Sequence, residues 1–208
     1  MSILDNIEKL ILTAGIRIGT DVKTKHMERF IAKTNEGVYM LDMNKTLERI
    51  ETAASFIARA LPKVAVCTSK EQAITAVNKF CELTGATPIV GRFMPGTFTN
   101  PFLSTYIEPE VVLVSDPQAD IQAIVEATNA GIAVIALVNT DNSLTKVDLA
   151  IPSNNRGRRA IATVYWLLAL HILNKKGLVQ DKQLDYFTYN GNVYKIDDFE
   201  TKIEEGLS

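Results

Sequence analysis

VVLVSDPQADIQAIVEATNAGIAVIALV, from Val111 to Val138, decides the fold, because a strand, a helix and a second strand follow one another within 28 residues. VVLVS is a continuous apolar run too short for a buried helix. Asp116-Pro117 then offers an N-cap and a proline at the first helical position. Ile121, Ile124 and Val125 carry the apolar stripe of the helix, and Gly131 ends it. AVIALV, 133 to 138, is the most apolar run of the set. Two unalternating apolar strands joined by a helix predict parallel neighbours buried on both faces.

The same rhythm extends in both directions. VYMLD (38–42) is strand-like, and Leu47, Ile50, Ala54, Ile57 and Leu61 recur at helical spacing until Pro62 stops the helix. VAVCT (64–68) is a strand, Ala73, Val77, Phe80 and Thr84 mark a helix closed by Gly85, and TPIVG (87–91) is the next strand. VDLAI (147–151) follows AVIALV, and 157–175 is a long helix that is apolar around most of its circumference. Upstream, SILDNIEKLI predicts a short amphipathic helix capped by Ser2, and the basic stretch 14–37 predicts a loop with a short amphipathic piece. The expected architecture is a doubly wound three-layer α/β domain with a mainly parallel sheet, Rossmann- or flavodoxin-like in its winding. It spans 1–180, with an acidic C-terminal tail over 181–208.

Composition is that of an ordinary globular chain: 208 residues, 47% hydrophobic and 22% charged, with a formal charge of −2. The charge is uneven. Seven acids against three lysines give −4 from Asp181 to Ser208, leaving +2 for the remainder. No export signal opens the chain, and IATVYWLLALHIL (161–173) falls short of the roughly 20 residues a membrane span needs. That helix is expected either to be buried against the sheet or to present Tyr165, Trp166, Leu167 and Leu170 to a partner protein. Cys67 and Cys81 suit a reducing cytoplasm, as small apolar residues.

In such a sheet a ligand crevice lies beyond the carboxyl ends of the strands. Those ends carry Thr68-Ser69-Lys70, Gly91-Arg92-Phe93, Ser115-Asp116-Pro117, Asn139-Thr140-Asp141 and Pro152 to Arg156. They are polar but poor in catalytic types. GxGxxG and GxxxxGK[ST] are absent, and NTDN (139–142) has Asn where a guanine-reading Asn-x-x-Asp needs its acid. His26 and His171 are the two histidines, which gives a metal site little support, and no cofactor is expected. Asp116 and Asp120 read best as a cap and a dipole-favoured acid. A nucleotide- or small-ligand-binding enzyme using this crevice is the competing reading; it would require a phosphate loop.

Binding features remain. IPSNNRGRR gathers Asn154, Asn155, Arg156, Arg158 and Arg159 where a helix begins, which suits phosphate, or else is a capped helix with solvated arginines. Arg17, Lys23, Lys25, His26, Arg29 and Lys33 form a basic stretch open to the same two readings. In RFMPGTFTNP (92–101), Pro95-Gly96 makes the turn, and Arg92, Thr97, Thr99 and Asn100 are candidate contacts. Phe93, Phe98 and Phe102 either pin this loop to the core or stack on unpaired bases.

GRFMPGTFTNP, VSDPQADIQAIVEA, IALVNTDNSLTKVDLAIPSNNRGRRAI and MERFI followed by VYMLDMNKT resemble, in order and spacing, the small-subunit ribosomal protein S2 family, over about 16–173. Bacterial members insert a helical hairpin after the TFTN block. Only 102–109 intervene here, so the chain resembles the archaeal and eukaryotic branch, which includes the laminin-receptor-related members. It lacks the long C-terminal extension of those members, which favours an archaeal relative. Arg17 stands where relatives usually have His. The resemblance implies a structural, noncatalytic component of the cytoplasmic ribosome, set between head and body of the small subunit. Its implied partners are small-subunit ribosomal RNA and neighbouring ribosomal proteins, with no membrane and no small-molecule substrate.

Overall fold

The computed structural model describes residues 13–183 and 186–201, so the helix expected from Ser2 lies outside the described residues. After a 3-10 turn at Glu28–Phe30 come strands β1 (Ile31–Asn35) and β2 (Val38–Leu41), then helix α1 (Met43–Ala60) and strand β3 (Val64–Thr68). Helix α2 (Glu71–Thr84), strands β4 (Thr87–Val90) and β5 (Val111–Val114), helix α3 (Ile121–Asn129) and strand β6 (Ala133–Val138) follow. Strand β7 (Leu149–Pro152), helix α4 (Arg158–Lys175) and strands β8 (Asp181–Lys182), β9 (Tyr186–Tyr189) and β10 (Asn192–Lys195) complete the order.

Five parallel strands form the central sheet in the order β4-β3-β5-β6-β7. The chain steps outward from β3 to β4, then returns past β3 to β5 and continues the other way. The doubly wound expectation holds, and the order places the topological switch point between β3 and β5. Every residue of β3 and β5 is buried because both faces of the sheet are covered. Val64, Val66, Leu113 and Ile135 meet α1, α2 and α4 on one face. Cys67, Val112, Val114 and Ala136 meet α3 and the irregular segment after β4 on the other.

Three expectations are corrected. VYMLD does not join the parallel sheet; β2 pairs antiparallel with β1, a strand that the loop reading of 14–37 misses. Four of the five β1 residues are exposed, so no alternation marks it. Helix α3 begins at Ile121, not after Asp116. The carboxylate of Asp116 accepts the Gln118 N–H at 3.0 Å and shapes a turn over 117–120 instead.

The third concerns the acidic segment and the all-round apolar α4. β8, β9 and β10 form a small antiparallel sheet packed onto α4. Phe187 and Phe199 are fully buried, the Phe187 ring lies 5.7 Å from that of Trp166, and the Trp166 indole N–H donates to the Tyr194 carbonyl at 3.2 Å. One side of α4 meets the sheet and the other this segment, so Tyr165, Trp166 and Leu167 are buried. The protein-facing alternative for α4 is thereby removed.

Candidate nucleic-acid interface

At the switch point the crevice is filled by the chain's own polar groups. Lys70, following β3, reaches across to Asp116, following β5, with Nζ to Oδ2 at 2.5 Å, and donates to the Asn155 carbonyl at 3.0 Å. Asp116 Oδ1 also accepts from Asn142 Nδ2 (3.3 Å), while Asn142 Oδ1 accepts from Asn155 Nδ2 (2.9 Å) and the Asn139 amide (2.7 Å). Asp120 stands at the N-cap of α3, as a dipole-favoured acid should, and its carboxylate accepts the Ser69 N–H at 2.8 Å. Burial raises its carboxyl to about 6, the Asp116 charge adding a smaller push against the lowering by hydrogen bonds. Burial likewise raises the thiols of Cys67 and Cys81, which are inert core residues. Among the described residues, no group of three or more His, Cys, Asp or Glu could hold a metal ion.

The basic stretch is laid over the carboxyl ends of β6 and β7. The Ile16 carbonyl accepts the Asn154 N–H at 2.8 Å, Asn154 Nδ2 donates to the Gly15 carbonyl, and the Thr24 N–H donates to the Thr140 carbonyl at 2.9 Å. Gly19 makes the closest approach: a Cβ there would lie 2.4 Å from the Tyr39 oxygen and 2.6 Å from Thr140 Cγ2. This stitching brings Arg17 to the IPSNNRGRR block. Arg17 is half-buried, with an Nε that has no partner among the described residues. Lys25 and His26 are exposed, as is Arg29, whose guanidinium lies 4.8 Å over the Phe30 ring. Lys23 pairs with Glu28 at 2.9 Å, a pairing that raises the lysine and lowers the carboxylate.

The IPSNNRGRR block differs from the converging phosphate site that its sequence suggests. Asn154 Oδ1 accepts the N–H groups of Arg156 and Gly157, forming the turn into α4. Asn155 is buried in the switch-point network, which removes it from the contact candidates. Arg156 is exposed and pairs with Asp141 at 2.6 Å. Arg158 donates to the Thr201 carbonyl at 3.4 Å, and Arg159 pairs with Asp197 and Glu200 at 3.4 and 3.3 Å. The acidic segment thus neutralises Arg159, while Arg158 meets an uncharged backbone carbonyl of the same segment.

RFMPGTFTNP leaves the opposite edge of the sheet, after β4, so it is not continuous with the other two stretches. Its anchor is Glu126, a buried acid on α3 that the sequence reading overlooks. Glu126 accepts the N–H groups of Gly96 and Phe98, both at 2.8 Å, and the Thr99 hydroxyl at 3.1 Å. Position 126 lies three residues after the buried Ala123, and an acid on an apolar helix face was the available signal. Gly96 has φ +95°, a conformation other residues resist. Phe93 and Phe98 pack together in the core with centroids 5.1 Å apart, whereas Phe102 is 98% exposed. Thr97 is buried, its hydroxyl donating to the Met94 carbonyl, which withdraws it from the candidates. Arg92 and Asn100 are exposed, the latter accepting the Phe102 N–H.

Comparison with known proteins matches the family model described as Ribosomal protein S2 to residues 11–107 and 103–174. "Small ribosomal subunit protein uS2" of Nitrosopumilus maritimus (strain SCM1) is 54% identical over 202 residues, covering 96% of this chain and 94% of that protein. The protein of the same description from Cenarchaeum symbiosum (strain A) is 48% identical over 198 residues, covering 94% of this chain and 92% of its own length. That from Thermofilum pendens (strain DSM 2475 / Hrk 5) is 50% identical over 171 residues, covering 81% and 80%. With the family model matching most of the chain and relatives at about half identity covering most of both lengths, the chain belongs to the ribosomal protein S2 family.

Proposed function

We propose that the chain is a structural constituent of the small ribosomal subunit in the cytoplasm, seated between head and body, where it binds ribosomal RNA and neighbouring proteins and supports subunit assembly and translation. The observation that carries this reading is the similarity to relatives described as small-subunit proteins over nearly the full length of both chains. The RNA-facing surface is the edge where the basic stretch crosses the ends of β6 and β7. There, Lys25, His26 and Arg29 are exposed beside the segment that carries Arg17. Arg156 stands at the same end, on the loop that the segment clasps, but shares its charge with Asp141 and so adds less than Lys25 and Arg29. The lysine and arginine side chains contact phosphate and sugar, His26 adds a hydrogen-bonding ring, and together they position the protein without reading bases. Arg92, Thr99 and Asn100 form a second contact at the other edge. A ligand between β3 and β5 is disfavoured because Lys70, Asp116, Asn142 and Asn155 already bond to one another there.

Sedimentation of a cell lysate through sucrose gradients at moderate and high salt, with the tagged protein followed, tests the reading. Co-migration with small subunits that weakens as salt rises is expected. A protein that stays at the top of every gradient overturns it.

A further inference from the structure

A groove of about 760 Å³ separates the outer face of α2 from β10 and the turn after it. Its walls hold Glu82, Asp197, Asp198 and Glu200 against one lysine, Lys79, and its lining includes Tyr194 and the half-exposed Val193. β10 is the outer strand of its small sheet, so this wall is unpartnered. A surface of this charge repels phosphate. It therefore faces something other than RNA, and the chain itself shows what it accepts. The Lys79 ammonium lies 2.9 Å from a Glu82 carboxylate oxygen and 5.3 Å over the Tyr194 ring, held by an acid and an aromatic face together. Asp198 has an exposed carboxylate with no cation partner among the described residues; it accepts only the Lys195 N–H. Arg159, bridging Asp197 and Glu200 from outside the lining, marks the boundary between this groove and the basic end of the molecule.

We propose that this groove docks an extended lysine- and arginine-rich segment of a neighbouring protein. Basic side chains pair first with Asp198, take over Glu82 and the Tyr194 ring as Lys79 swings out to solvent, and leave their aliphatic stems on Val193. The surface is separate from the RNA-facing edge, and its occupant is a polypeptide.

Fluorescence anisotropy on the full chain tests this with a labelled 12-residue peptide of alternating Lys, Arg and Gly, an acidic control of equal length and a short single-stranded RNA. The basic peptide should bind, the acidic one should not, and binding should weaken several-fold as salt rises from low to physiological. Glu82→Gln with Asp198→Asn should weaken it at least fivefold, as should Val193→Lys, while both variants keep the melting curve of the parent. Asn at 198 retains an acceptor for the Lys195 N–H, so the turn is preserved. RNA should not displace the peptide, and Arg156→Ala should leave its affinity unchanged. Equal peptide affinity in the folded variants, no binding to the parent, or displacement by RNA would each overturn the proposal. No RNA contact is needed for peptide binding, so a failure here leaves the RNA reading standing.

Discussion

Lys70 Nζ lies 2.5 Å from Asp116 Oδ2, and the two residues follow the neighbouring strands β3 and β5 where the winding reverses. In an enzyme of this topology that gap admits a ligand. Here an ion pair with little exposure occupies it, and each partner has further bonds, Lys70 to Asn155 and Asp116 to Gln118 and Asn142. Removing one member leaves a buried charge. Lys70→Met should cost about 3–5 kcal/mol. Combining it with Asp116→Asn should recover most of that loss, because the carbonyl still accepts from Gln118. Urea unfolding of the parent, the two single variants and the double variant measures this; additive losses would contradict the pairing.

Asp120 gives the same region a pH dependence. Its carboxyl is raised to about 6 by burial, from 3.8. The folded state therefore holds the proton where the unfolded chain has released it, and stability from this group falls as pH rises from 4 through 6. The penalty above pH 6 is about 2–3 kcal/mol. Asp120→Asn keeps an acceptor for the Ser69 N–H and removes the charge. Its stability relative to the parent should improve between pH 5 and pH 7.5, read as a widening gap in urea midpoints. A gap independent of pH would show that Asp120 is not the titrating group.

Glu126 holds the RFMPGTFTNP loop by two backbone N–H groups and one hydroxyl. Glu126→Ala should destabilise the chain by about 2–4 kcal/mol, since hydrogen bonds to a charged group are worth about 1.5–3 kcal/mol each and do not add fully. Hydrogen exchange should speed up at Gly96 and Phe98 before it does in β3 or β5. Unchanged protection at those two amides would place the anchor elsewhere, in the packing of Phe93 and Phe98.

Parallel winding was legible because buried strands such as VAVCT and VVLVS carry apolar residues without alternation, and because Gly85 and Gly131 punctuate the helices. β1 was not legible, since IAKTN pairs only through its backbone and exposes its side chains. The arginines of IPSNNRGRR looked like one site, yet Arg158 and Arg159 answer to residues some 40 positions later. Local spacing carries no trace of such a partner. Asn155 and Thr97 were misjudged for a related reason: a polar side chain satisfied inside the fold has the same letter as one offered to a ligand.

Gly19→Ala tests the stitch between the basic stretch and the strand ends. The added methyl meets the Tyr39 carbonyl oxygen at 2.4 Å, a backbone atom with no freedom to swing away. Stability should fall by about 1–3 kcal/mol. Thermal unfolding, with exchange at the Thr20 and Thr24 amides, should report the loosening; a parent-like Tm would mean that the segment rides freely over Thr140.

Salt dependence separates the proposed RNA-facing edge from the neutralised Arg159. Lys25→Ala with Arg29→Ala removes two exposed cations that no described acid pairs with. For binding to a small-subunit RNA fragment, the slope of log affinity against log salt should shrink by about 1.5–2, as expected for two lost phosphate contacts. Arg159→Ala should leave that slope near the parent value, because Asp197 and Glu200 already hold its guanidinium. Filter binding at four salt concentrations decides between them. If Arg159→Ala shrinks the slope as much as the double variant does, the acidic segment yields its arginine to RNA, and the interface extends across the start of α4.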